Sequence, residues 1–160
     1  IISMYIYNKK ILKKSVLWIL DRVVIASALG AVFIRVGNFF NSEMIGKPSE
    51  EGFPLAVIFR QLDIIPRHPG QLYEAFGYVF VFLTLFFLYW KTKKSMQTGF
   101  LFGLFLVLLM SVRVIIEQFK IAQIDSREDW ILGLNTGQVL SIPFVLCGLY
   151  FMFLYKPKTN

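Results

Sequence analysis

Arg35, Asn38 and Asn41 follow one another at steps of three in IRVGNFFNSEMIGK, residues 34 to 47, and Glu43 stands close behind. Much later Arg113 and Glu117 are spaced by four, which places them on one helical face. A guanidinium presents directional donors suited to phosphate, and lysine only a point charge. Two readings fit Arg113 and Glu117: a structural ion pair, or a cavity in which Glu117 fixes the guanidinium while an anion takes its other donors. If the helix continues past Gly37, Arg35, Asn38 and Asn41 approach one face; a bend at Gly37 would build a pocket differently, and helix termination with side-chain caps is the alternative to a site. Gly46 and Pro48 mark a turn. A third polar stretch, PRHPGQLYE at 66 to 74, enters through Pro66 and Pro69, and Gln71, Tyr73 and Glu74 begin a helix. His68 is the only histidine, which excludes a histidine-rich metal site. Its titration range suits a base, but spacing alone names no partner, so a structural or headgroup contact is the simpler role.

These groups are carried by apolar segments. The chain has 160 residues, 56% of them hydrophobic, including 17 phenylalanines, with a mean hydropathy of +0.61. That exceeds the usual content of a soluble globule and points to an all-α, polytopic integral membrane protein. The predicted transmembrane helices cover 15–38, 71–90, 99–119 and 137–155, with external regions at 39–70 and 120–136. The first is interrupted by Asp21, Arg22 and Arg35; Asp21 and Arg22, being adjacent, point in different directions and suit the interface. Gly103 and Gly148 are candidate close-packing points, and Pro143 falls within the first turn or two of the last helix.

Lysine placement sets the orientation. Lys9, Lys10, Lys13 and Lys14 precede the first segment, Lys91, Lys93 and Lys94 join the second to the third, and Lys156 and Lys158 follow the fourth. Residues 37 to 70 carry three basic and four acidic residues, and 118 to 136 two and three. Alternate loops therefore agree on the positive-inside rule, with both termini of this portion cytoplasmic and the polar stretches near the outer face. The net charge of +7 follows this bias; no zinc-finger, RNA-binding or basic-helix pattern accompanies it, so nucleic acid is not a partner. The lone Cys147 excludes an intrachain disulfide and reads as a buried packing thiol. Position 1 is not methionine and no signal-peptide pattern follows, so the chain reads as a fragment, a processed product or a piece of a longer protein.

IRVGNFFNSEMIGKP, PRHPGQLYE, GFLFGLFLVLLMSVRVIIEQFK and NTGQVLSIPF, in this order, resemble the prolipoprotein diacylglyceryl transferase family, most of all its versions from the Bacteroidetes lineage. The resemblance implies a bacterial inner-membrane enzyme that moves diacylglyceryl from phosphatidylglycerol to the cysteine thiol of a prolipoprotein lipobox, releasing glycerol phosphate. It implies about the last four of seven helices, without the family's glycine-flanked histidine motif. On this resemblance Arg35, Arg113, Glu43 and Glu117 are the catalytic candidates, the arginines for phosphate and the glutamates for positioning or proton relay. Asn38, Asn41, Gly46, His68, Gln71, Tyr73 and Glu74 are the substrate-binding candidates. Ser42, Lys47, Gly70 and Lys120 depart from the family's common residues. No cofactor or metal is called for, and a monomer is expected. Outside the resemblance, an anion transporter or a non-enzymatic membrane subunit accounts for the same polar residues.

Overall fold

A computed structural model describes residues 6–50, 52–120, 134 and 136–155. Its main elements are α1 (Val16–Phe40), α2 (Gly70–Lys91), α3 (Phe100–Ile116) and α4 (Thr136–Leu149). A 3-10 turn, Glu117–Phe119, extends α3, and a π turn, Tyr150–Leu154, extends α4. The four spans then run from 18 to 25 residues. At about 1.5 Å per residue, even the shortest reaches roughly 27 Å, close to the thickness of a hydrocarbon core. The chain is an all-α polytopic membrane protein, and most of each span faces outward because no more than 28% of its most apolar window is buried within the bundle.

Helix α1 starts at Ser15, whose hydroxyl accepts from the Trp18 N–H at 3.2 Å, and continues helically through Gly37. It packs mainly on α2, α3 packs mainly on α4, and α3 also reaches the first two. Ala28, Val81, Leu85, Phe100 and Leu101 form the buried core where α1, α2 and α3 meet. Helices α3 and α4 cross at Gly103 and Gly148: a Cβ on Gly103 would lie 2.5 Å from the Gly148 oxygen, and one on Gly148 2.6 Å from the Gly103 oxygen. Only residues without side chains permit that approach. Cys147, next to this crossing, is exposed on the outward side of α4 instead of packed inside. Pro143 lies inside α4, beyond its first two turns, where its ring removes one backbone donor.

Asp21, near the start of α1, is turned into the bundle. It is 1% exposed, and its carboxylate accepts from the N–H groups of Gly99 at 2.6 Å and Phe102 at 2.8 Å. Gly99 adopts φ 90°, open to glycine, and provides no side-chain cap for α3. The first N–H groups of a helix have no intrahelical acceptor, so α1 provides one, with its negative charge at the positive end of α3. Asp21→Ala is expected to destabilise the protein by about 1–3 kcal/mol, the cost of stranding buried donors. Thermal unfolding in detergent measures it, and an unchanged melting temperature would contradict the capping role.

At the other end, Ser42 and Met44, both at φ 56°, turn the chain out of α1 into a head. Two short antiparallel strands, β1 (Val57–Ile58) and β2 (Pro66–Arg67), pair Val57 with Arg67. The Lys47 N–H donates to the Phe119 oxygen at 2.8 Å and the His68 N–H to the Lys47 oxygen at 3.0 Å, fastening the head to the end of α3. Arg67 pairs with Asp63, and its guanidinium holds that carboxyl below the usual carboxylate range. The external region expected at 120–136 lies largely outside the described residues.

Candidate active site

The end of α1, the start of α2 and the end of α3 converge on Glu74. This residue is fully buried, a placement that requires compensating charge. Arg35 Nε lies 3.0 Å from one carboxylate oxygen and Lys120 Nζ 2.9 Å from the other, with side-chain exposures of 15% and 9%. Both contacts are ion pairs that lie outside hydrogen-bond alignment. In the amide orientation that satisfies both of its polar atoms, Asn38 accepts from Arg35 Nη1 at 3.3 Å and donates to the Ile34 oxygen at 3.2 Å. Arg35 is thus held on two sides, with the Tyr78 hydroxyl as a further acceptor within its reach.

Arg113 lies in the last turn of α3, at the same end of the bundle. The Arg35 guanidinium carbon lies 6.0 Å from the Tyr78 ring centroid. Tyr78 is buried and one helical turn after Glu74. Among the described residues Arg113 has no carboxylate within ion-pair distance. Glu117 does not pair with it: Glu117 Oε2 lies 3.9 Å from Lys120 Nζ. The reason is local, since α3 tightens at Glu117 into a 3-10 turn, in which residues three apart eclipse. The Glu117 carboxylate also lies against Gly137 in the first turn of α4, where a Cβ would come within 2.5 Å of Oε1. A helix N-terminus favours such a negative charge.

Other candidates surround this centre in different ways. Gln71 is fully buried; its Nε2 donates to the Glu43 backbone oxygen at 2.6 Å, and its Oε1 has no partner. The Glu43 side chain is exposed, so its backbone and carboxylate serve different ends. Asn41 is exposed as well and ends α1, donating its N–H to Gly37. Gly46 is buried so tightly that a Cβ would sit 2.0 Å from the His68 oxygen. His68 Nδ1 lies 3.3 Å from the Tyr73 hydroxyl, and its ring packs against Phe53 at 4.7 Å and Phe119 at 5.5 Å. Beside Tyr73 an apolar depression of about 410 Å³ opens between Leu72 and the Pro54–Val57 segment.

Lys120 and Tyr78 were not among the residues singled out for the site. Lys120 stands three after Glu117 and Tyr78 four after Glu74, spacings that mark both as neighbours of charge. The arrangement combines buried, mutually neutralising charges at the meeting of three helix ends, a set of dipoles and charges fixed in advance. Among the described residues no cluster of histidine, cysteine and carboxylate groups could hold a metal ion.

The class defined by these features is a multi-pass membrane protein with a buried, charged polar centre at one end of its bundle. Residues 1–154 match the family model described as prolipoprotein diacylglyceryl transferase. The chain is 42% identical over 160 residues to the phosphatidylglycerol–prolipoprotein diacylglyceryl transferase of Bacteroides fragilis, covering 100% of this chain and 56% of that protein. It is 43% identical over 154 residues to the enzyme of the same name from Tolumonas auensis, covering 96% and 58%. With that of Porphyromonas gingivalis the identity is 38% over 164 residues, covering 94% and 56%. The chain belongs to the prolipoprotein diacylglyceryl transferase family, and it spans little more than half the length of these curated relatives.

Proposed function

We propose that this chain carries the anion-binding part of the active site of a phosphatidylglycerol–prolipoprotein diacylglyceryl transferase in a bacterial inner membrane. The reaction joins the lipobox cysteine sulfur to the glyceryl carbon that bears the phosphate. That carbon–oxygen bond breaks, glycerol phosphate leaves with the electron pair, and the thiol proton passes to an acceptor. Supporting this reading above all is the buried Glu74 carboxylate held between Arg35 at 3.0 Å and Lys120 at 2.9 Å, a charged centre joined from three helix ends, with Arg113 in the last turn of one of them. Arg35 and Arg113 grip the phosphate and stabilise the charge of the departing glycerol phosphate. They accelerate transfer to the extent that they bind that charge better than the resting lipid. Asn38 orients Arg35, and Asn41 contacts glycerol oxygens from the rim. Glu43 and Glu117 position basic groups or relay the proton. Glu74, held between two cations, positions Arg35.

The orientation follows from lysine placement: the end of the bundle holding Arg35, Glu74 and Lys120 faces out, and the end holding Asp21 and Gly99 faces the cytoplasm. Full-length protein supplied with phosphatidylglycerol and a lipobox peptide is expected to yield peptide carrying a diacylglyceryl thioether, read by mass spectrometry. Unmodified peptide under conditions where a related enzyme works would overturn the assignment. Anion flux into vesicles without thioether formation would favour a transporter.

A further inference from the structure

Opposite the candidate active site, a groove of about 460 Å³ runs between α1 and α2. Ile25 and Ala26 form one wall, and Phe82, Phe86 and Trp90 the other, with Arg22 beside them. The three rings repeat at steps of four along α2, with centroids 5.8 Å apart for Phe82 and Phe86 and 6.3 Å for Phe86 and Trp90. They make a continuous apolar stripe parallel to the helix axis. From Phe82 to Trp90 the helix rises about 12 Å, compared with about 15 Å for half a hydrocarbon core.

Arg22 lies toward the end of the groove where α1 begins and α2 finishes. Its guanidinium carbon sits 3.4 Å from the Trp18 ring centroid and 5.7 Å from that of Tyr89. One donor, on Nη1, reaches the Trp18 oxygen at 2.7 Å, and Nε and Nη2 have no acceptor among the described residues. Lys91, Lys93 and Lys94 follow Trp90 and are exposed. The carboxylate beside Arg22 in sequence, Asp21, is committed to Gly99 and Phe102. Among the described residues every other carboxylate belongs to the head or to the opposite end of the bundle. An apolar stripe about one leaflet long therefore ends in four cations, Arg22, Lys91, Lys93 and Lys94, against the single nearby acid among the described residues, Asp21, an excess of positive charge.

We propose that this groove binds one anionic phospholipid of the cytoplasmic leaflet. Its phosphate meets Arg22 and Lys91, and one acyl chain lies along Phe82, Phe86 and Trp90. This site is separate from the transfer centre and serves as an anchor for an annular lipid, not as a second place of reaction.

Tryptophan fluorescence tests it because Trp90 lines the groove. Full-length protein is placed in phosphatidylcholine nanodiscs, and brominated-chain phosphatidylserine, which is not the proposed donor lipid, is exchanged in. Brominated phosphatidylcholine is the comparison. The Trp90 component, taken as the difference from Trp90→Phe, is expected to be quenched with about five-fold preference for the anionic lipid, the scale of one cation near a membrane surface. Arg22→Gln removes the preference, and Lys91→Gln, at an exposed helix end, lowers it without touching the fold. Equal quenching by the two lipids, no quenching by either, or a preference unchanged in both variants would overturn the proposal. Because no turnover is measured, the result stands or falls independently of the transferase reading.

Discussion

Replacing Arg113 with alanine in the full-length protein is expected to lower lipid transfer to a lipobox peptide by about 100- to 1,000-fold, the loss that follows removal of one preorganised donor to a developing oxyanion. The substitution is a clean one. Arg113 has no carboxylate partner among the described residues, so its removal leaves no buried acid uncompensated among them. Folding should survive, with a melting temperature close to that of the parent, while kcat falls. Arg113→Lys is the sharper comparison: it keeps the charge and loses the planar fork, and should recover only part of the rate. Turnover of Arg113→Ala within about threefold of the parent, far short of the loss expected for such a donor, would remove Arg113 from the phosphate site.

The second large effect concerns Glu74 and falls on stability as well as rate. Glu74→Gln leaves Arg35 and Lys120 facing an uncharged amide at a position with no access to water. Breaking a buried pair by removing one partner costs about 3–5 kcal/mol, because the remaining charge is left without compensation. The partial exposure of Arg35 puts this case toward the lower part of that range. Lys120→Met should cost less, since it leaves the Arg35–Glu74 pair intact. Glu74→Asp keeps the charge on a shorter arm and should fall between the parent and Glu74→Gln. Thermal unfolding of the three variants in one detergent gives the ranking. If Glu74→Gln melted with the parent, Glu74 would not be the residue that holds the site together.

Much of the architecture was legible because hydropathy is a property of each segment alone. Four runs long enough to span a bilayer, separated by lysine clusters and polar stretches, are evident without knowing what any of them touches. The convergence of Arg35, Glu74 and Lys120 was hidden because it joins three separate elements, and no local spacing connects them. Arg113 and Glu117 show the limit of a spacing argument: their separation by four implies a shared face only while the helix remains α, and α3 ends at Ile116. Asp21 had left a clue. An acid within an apolar run needs a partner, and Gly99, at the start of another apolar run, has no side chain with which to cap it.

The Asp21 bond to Gly99 spans 78 residues of sequence, and it therefore has a place in time as well as in space. Synthesis at about 5–20 residues per second separates the two partners by roughly 4 to 16 seconds. Throughout that interval the two N–H groups that Asp21 meets in the folded protein have not yet been made, so its carboxylate must be satisfied by other donors while α2 is being made. Arrival of α3 supplies those donors, so the start of α1 takes its final packing only once the start of α3 has emerged.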